Sequence, residues 1–511
     1  MSISFKTPRR RAVTIRPMNT HTLPSVNAAL PPGPAGLGFD RLRALRLDYL
    51  GSVRAWHAQY GDVVRQRFLH LVDYSFLHPE HIREILVASH EQLIRWERGT
   101  EVFASAHGHS VLVAEGAAWK RQRQMLQPAF SPKRVEGFVP RMVDAARDGI
   151  ATWGDAPVID FEGAMTQTTM AVIMRALFSR ADVQQGRDIA AAVHDLGIEA
   201  MKEFYWPVSA PLWAPWKARK RRALKLLDRF IEGEIQARLA SSSGAQDDLL
   251  GLMVEAQDAS GHGLDPRGLR DECMTTFLAG HETTAAALTW WGWCMASHPE
   301  EQARIADEVG SVLGDRAPTA ADLALMPRLA RSFKESLRLF PPAAALFSRS
   351  TTAPVRVAGY ELPPGSMIRL TPALTHRDPR WFEEPDAFRP ERFDPTSGHP
   401  EIPRGAWLPF GAGPRVCLGS HFALTEMSVV AAQILRRHEL LTLPGQPAPA
   451  PPAGHHAAAR RGPAPGPAPA LKPALKPALN PGARAGVRSC RRPPDRLRAA
   501  SGAAPSPAPR S

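Results

Sequence analysis

The sequence predicts a mostly helical fold with a minor sheet, arranged as one large domain. Three observations predict it. Apolar residues recur at helical spacing over long stretches, strand-like pieces are few and short, and composition is ordinary for a globular chain at 44% hydrophobic and 22% charged. At 511 residues the chain can bury a large core. No internal repeat stands out in the body.

The elements are read in chain order. A polar leader, residues 1–30, precedes the rigid turn Pro31-Pro32-Gly33-Pro34. From Val135 to Trp153 the residues Val135, Phe138, Val139, Met142, Val143, Ala146, Ile150 and Trp153 recur every three or four positions, predicting one helix with a buried face. Residues 164–178 and 218–240 also read as helices. The longest candidate lies between Pro266 and Pro299. At about 1.5 Å per residue it would span roughly 45 Å and cross the whole domain. Another helix reads from Arg328 to Phe340, stopped by Pro341-Pro342, and a last one from Leu418 to Arg437. Strands are expected at Val63–Phe68, Val355–Val357, Tyr360–Leu362 and Met367–Thr371.

Charge resides at the ends. Residues 1–30 carry five cations and no acid, and residues 445–511 carry eleven cations and one acid, so the body, 31–444, has a net charge of −2. A near-neutral body gives no footprint for nucleic acid. No run of eighteen apolar residues predicts a membrane span. The leader lacks the apolar stretch of a secretory signal. Four cysteines without close pairing fit a reducing cytoplasm rather than a disulfide framework.

After Pro444 the composition shifts. Residues 445–511 hold sixteen of the 49 prolines and no Phe, Trp or Tyr, and ALKPALKPALNP is a low-complexity repeat. Such a segment buries too little apolar surface to offset its ordering entropy, so both tails are expected to be solvated.

The strongest chemical signal is Phe410-Gly411-Ala412-Gly413-Pro414-Arg415-Val416-Cys417-Leu418-Gly419. Gly413 can adopt backbone angles closed to other residues. Gly419 removes a side chain where a flat group could approach. Cys417 precedes the last helix, whose amides and dipole favour a thiolate, and Arg415 adds positive charge. A thiolate is a strong, soft metal ligand. A structural cysteine in a glycine-rich turn is the plain alternative. A dinucleotide fingerprint fails because Val416 stands where the third Gly belongs, and zinc fails because only His421 lies nearby.

The second signal, Ala279-Gly280-His281-Glu282-Thr283-Thr284, lies mid-helix. An acid beside two hydroxyls in an apolar helix is costly unless paired or used. The small pair Ala279-Gly280 leaves room for a small ligand. A zinc-protease H-E-x-x-H reading drops out at Ala285, and a polar notch that merely bends the helix stays open. Third, Glu335 and Arg338 can pair at i, i+3, and Pro390-Glu391-Arg392-Phe393 follows about fifty residues later. A surface ion pair is the alternative.

Together these segments resemble the cytochrome P-450 superfamily of haem-thiolate monooxygenases. F-x-x-G-x-R-x-C-x-G, A/G-G-x-D/E-T-T, E-x-x-R and PERF are matched in the family's order over about residues 31–440. The resemblance implies the family fold, with haem between the long helix and the helix after the cysteine. It implies haem b bound through the Cys417 thiolate, Phe410 packed beside the sulfur, and Arg415 on a propionate. Trp119 and Arg123 match W-x-x-x-R and would also meet a propionate, as would Arg349. Thr283 would hydrogen-bond dioxygen and Glu282 would relay protons. Glu335, Arg338 and Arg392 would form a structural triad. Phe277, Leu278, Ala279, Leu346 and Phe347, with Ala344 and Ala345, are candidates to line an apolar substrate pocket, with plain core packing the alternative for each.

No flavin or ferredoxin segment is present, so electrons are expected from a separate ferredoxin or flavodoxin with its NAD(P)H reductase. Lys120, Arg121 and Arg404 could dock such an acidic partner. A monomer is expected. The family usually continues with a strand-turn-strand unit where this chain has its Pro/Ala/Arg-rich tail. That composition suits an out-of-frame reading of GC-rich DNA near codons 445–455, which resequencing tests. A haem-binding but impaired protein is the alternative function.

Overall fold

The computed structural model describes residues 30–442, apart from 155, 157, 181–182, 205–208, 241–246 and 259, together with 486–487 and 490–491. The helix Pro266–Ser297 runs 32 residues through the centre. Asp265 caps it by accepting the Gly268 N–H, and Pro266 sits where no amide partner is needed. Its N-terminal half gives Cys273, Met274 and Phe277 to one core cluster, and its C-terminal half gives Leu288, Trp291 and Met295 to another. The helix thus joins both halves of the domain.

The helix Phe161–Phe178 packs along it. Contact is close enough that a Cβ at Gly292 would lie 2.2 Å from the Phe161 ring. A Cβ at Gly280 would lie 3.3 Å from Ile173, so this glycine serves helix packing rather than the ligand space expected of it. The helix Ser420–Leu435 follows the cysteine loop and packs on the long helix.

A five-stranded sheet has the order Val63–Phe68, Leu71–Phe76, Met367–Leu370, Arg349–Thr351, Leu93–Arg95. All pairs are antiparallel except Leu71–Phe76 with Met367–Leu370, in register from Asp73 opposite Met367 to Phe76 opposite Leu370. Half-buried Arg369 donates to the buried Asp73 at 3.1 Å across that parallel pair.

Three boundaries differ from the sequence reading. The helix expected over 135–153 is two, Pro132–Gly137 and Val139–Ala151. Pro140 lacks the amide that would continue the first into the second. The last helix starts at Ser420, three residues beyond Cys417. The strand expected to Thr371 ends at Leu370, because Pro372 opens a short helix.

The tail also pairs with the body. Gly486–Val487 runs antiparallel to Ile159–Asp160, and Cys490–Arg491 antiparallel to His438–Glu439. The expectation that the tail lacks strands is corrected to that extent. The leader and the remaining tail residues lie outside the described residues.

Candidate active site

The cysteine loop is shaped by two glycines. Gly411 and Gly413 hold φ of 73° and 72°. A Cβ at Gly413 would lie 2.1 Å from the Leu86 carbonyl oxygen, so only glycine fits. The Cys417 amide donates to Phe410 O at 3.0 Å and closes the loop. The Cys417 side chain is exposed, yet protein surrounds it closely enough that burial raises its thiol pKa. An exposed sulfur at that depth faces an internal cleft, not the outer surface. The bond to Gly419 and the charge of Arg123 oppose the rise without cancelling it. Burial and these groups thus act in opposite directions on the Cys417 thiol, and the charge of a bound metal would favour the thiolate. A Cβ at Gly419 meets nothing within 4 Å.

Beside the sulfur lies a surplus of positive charge. Arg415 donates to Ala114 O at 3.1 Å, pairs with Glu115, and stacks 4.2 Å over the buried Trp119 ring. Arg349 is 8% exposed and donates to Phe347 O. Burial, then repulsion from Arg415, lowers its pKa to about 10. Arg95 is 7% exposed, and its Nε and Nη1 have no hydrogen-bond partner. Burial and repulsion from Arg415, Arg349 and Arg123 hold its pKa well below the usual guanidinium range. Three of these arginines, Arg95, Arg349 and Arg415, thus share one carboxylate, Glu115. Such a cluster is stable only with further anions. Glu115, Trp119, Arg349 and Arg415 line a cavity of about 350 Å³ together with Leu86 and Ala412.

The long helix has accessible residues of its own. Most of its central residues are buried, but Ala279 is exposed and Thr283 half-exposed one turn on. Their accessibility inside a central helix marks a cleft. The Thr283 hydroxyl donates to Ala279 O at 2.7 Å. Glu282 is buried and points elsewhere, to the helix Val183–Phe204, where His194 Nδ1 lies 3.6 Å from Oε1.

The P450 family model ("Cytochrome P450") matches residues 42–463. The chain belongs to the cytochrome P450 family. It is 34% identical over 408 residues to cyclooctatin synthase of Streptomyces melanosporofaciens, spanning 78% of this chain and 86% of the relative. It is 32% identical over 406 residues to cyclooctat-9-en-7-ol 5-monooxygenase of the same organism, with the same coverage. Retinoic acid-bound cyanobacterial CYP120A1 superposes with a TM-score of 0.70 at 25% identity, covering 82% of this chain and 94% of that one.

This P450 is a haem-thiolate monooxygenase, and its residues fit the cofactor. The exposed interior sulfur of Cys417 would hold the iron, the open space at Gly419 admits a flat ring, and two propionates would neutralise the arginine surplus. Phe410 is half-buried against the second core cluster. Arg123 is half-buried and near enough to Cys417 for their charges to interact.

Glu335, Arg338 and Arg392 form one buried cluster. Arg338 donates to both Glu335 oxygens at 2.7 and 2.8 Å, and Arg392 adds a bond at 3.0 Å. Among the pocket candidates, Leu278, Leu346 and Phe347 are half-buried. Phe347 packs against Phe103 at 5.0 Å. Phe277 is a correction. It is wholly buried between Phe178 and Phe230 and belongs to the core, because a helix with periodicity 3.6 turns it away from Ala279. Ala344 and Ala345 are buried too, and Ala345 packs in a peripheral core cluster. Arg121 is engaged by Asp258 at 2.6 Å, while Lys120 and Arg404 are exposed.

Sequence reading missed Arg95, Glu115 and His376. None lies in a matched motif. His376 accepts the Leu408 N–H at 2.8 Å and lies 3.2 Å from Arg338 O, tying the triad to the cysteine loop.

Proposed function

We propose that this P450 inserts one oxygen atom from dioxygen into an apolar, terpenoid-like substrate, by hydroxylation or epoxidation, with electrons from a separate ferredoxin or flavodoxin and its reductase. The observation that carries the reading is the cleft in which Ala279 and Thr283 are exposed within a central helix. The names of the two Streptomyces relatives, one a monooxygenase of a cyclic alkenol, support the substrate class. The bound haem supplies the oxidising chemistry.

The chain's own groups do the rest. Apolar Leu278, Ala279, Leu346 and Phe347 exclude water and orient the substrate. The Thr283 hydroxyl, parked on Ala279 O, can turn to hold a proton over the cleft. Glu282 stands on the same helix turn but faces His194, so it resupplies protons from the side away from the sulfur. Arg95, Arg123, Arg349 and Arg415 hold the propionates. Glu335, Arg338 and Arg392 lock the segment ahead of the cysteine loop.

The test is turnover with surrogate redox partners on a panel of cyclic terpenes and fatty acids, scored by oxygenated product. Oxygenated terpenes, lost on Thr283→Ala with reductant still consumed, are expected. Fatty-acid products alone would overturn the substrate class, and no product from any substrate would favour an impaired protein.

A further inference from the structure

The stripe of the long helix that carries Ala279 and Thr283 continues one turn earlier to Thr275. Thr283, Thr284 and Thr289 each return their hydroxyl to the carbonyl four residues back. Thr275 turns outward instead. Its hydroxyl donates to Ser110 Oγ at 2.6 Å, and His107 Nδ1 lies 3.1 Å from it. All three residues are buried, Ser110 wholly so.

The order of these bonds fixes the imidazole. Because Thr275 gives its proton to Ser110, its oxygen accepts the Nδ1 proton of His107. Burial, then the charge of Arg270, lowers the His107 pKa from 6.5 to about 4, so the ring is neutral at neutral pH. A neutral ring protonated at Nδ1 has a bare acceptor at Nε2. Among the described residues no group donates to Nε2, yet that atom is not sealed in by protein. An acceptor on a buried ring is costly to leave unfilled.

Anchorage does not account for the cluster. The loop after His107 is already tied to the helix by two carboxylates, with the His109 N–H donating to Asp271 at 2.7 Å and the Val111 N–H to Glu272 at 2.8 Å. The Phe103 ring packs both on His107, at 5.8 Å, and on the pocket candidate Phe347, at 5.0 Å. One ring therefore joins the polar cluster to the apolar residues that would line the substrate pocket.

On the terpenoid reading above, on which this step rests, we propose that His107 Nε2, oriented by Thr275 and Ser110, accepts a hydrogen bond from a hydroxyl already present on the substrate. The enzyme then takes an apolar alcohol in preference to the parent hydrocarbon. Thr275 and Thr283 are eight residues apart, about 12 Å along the helix axis, so the new oxygen enters at the end of the molecule remote from that hydroxyl. The reaction that supplies the substrate must itself install a hydroxyl, by hydration or by an earlier oxygenation.

The test measures Kd from the substrate-induced spectral shift of the full-length holoprotein. The ligands are cedrol, patchoulol and manool, each beside its methyl ether and its deoxy hydrocarbon. Alcohols should bind roughly tenfold to a hundredfold more tightly than the matching hydrocarbon or ether, neither of which can donate. His107→Phe should bring that ratio close to one. A purely structural His107 would weaken all three ligands alike and leave the ratio standing, which would overturn the proposal. Thr275→Val, which frees the tautomer of the ring, should lower the ratio too and carries the test if His107→Phe loses haem. Equal binding of alcohols and hydrocarbons by the wild type would overturn the proposal with the terpenoid reading intact. Failure of every alcohol to bind would overturn it as well, and fatty acids binding in their place would overturn the terpenoid reading with it.

Discussion

Arg338→Ala removes a guanidinium all five of whose N–H groups are used. Two go to Glu335, and three go to the carbonyls of His376, Pro385 and Ala387 at 2.8, 2.7 and 3.0 Å. Both Glu335 and Arg338 are fully buried. After the change Glu335 keeps Arg392 and the Arg389 N–H, and one buried and two half-buried carbonyls lose this donor. Removing one partner of a buried ion pair costs about 3–5 kcal/mol. Against total stabilities of about 5–15 kcal/mol, that is about a fifth of the fold's margin or more. The loss falls on the segment leading to the cysteine loop, where Trp407 donates to Lys334 O at 3.1 Å and Leu408 donates to His376. The variant should therefore purify with little haem and unfold at much lower urea. Arg338→Lys, with three donors and no planar fork, should fall between. The assay is haem per chain together with the urea midpoint. Wild-type values for both in Arg338→Ala would refute the reasoning.

Three further outcomes follow from the same geometry. Gly413→Ala should cost about 1–3 kcal/mol from its positive φ alone, with the Leu86 clash added, whereas Gly419→Ala should leave the urea midpoint unchanged and weaken haem retention. Phe277→Ala should lower stability by about 3–5 kcal/mol without changing the product spectrum, while Ala279→Val should do the reverse, read by substrate-induced spectral shift. Burial and the charge of Arg338 lower the His376 pKa from 6.5 to about 3. Between those values the unfolded chain binds the extra proton, so stability falls on acidification from pH 6.5 downward. The slope from this one group is up to about 1.4 kcal/mol per pH unit. Urea midpoints at mildly acid pH should fall less steeply in His376→Asn.

What was legible in the sequence is what local spacing encodes. Cys417, Glu282-Thr283 and the Glu335, Arg338, Arg392 set lie in short motifs, and the long helix is bounded by prolines. What was illegible depends on side-chain direction or distant pairing. Phe277 and Ala279 are two residues apart, yet one is core and the other cleft, since a helix turns about 200° between them. Arg95 looks like any strand arginine until Arg349 and Arg415 are placed beside it by the sheet and the cysteine loop. The parallel pairing of Leu71–Phe76 with Met367–Leu370 joins segments nearly three hundred residues apart.

The central claim is that Cys417 is the proximal ligand in an intact cleft. The most direct measurement is the absorption spectrum of the purified protein, reduced and exposed to carbon monoxide, beside that of Cys417→His. The account predicts a strongly red-shifted Soret band in the wild type and its loss in the variant. A wild-type band at the position typical of a neutral proximal ligand, or an unchanged band in Cys417→His, would contradict it.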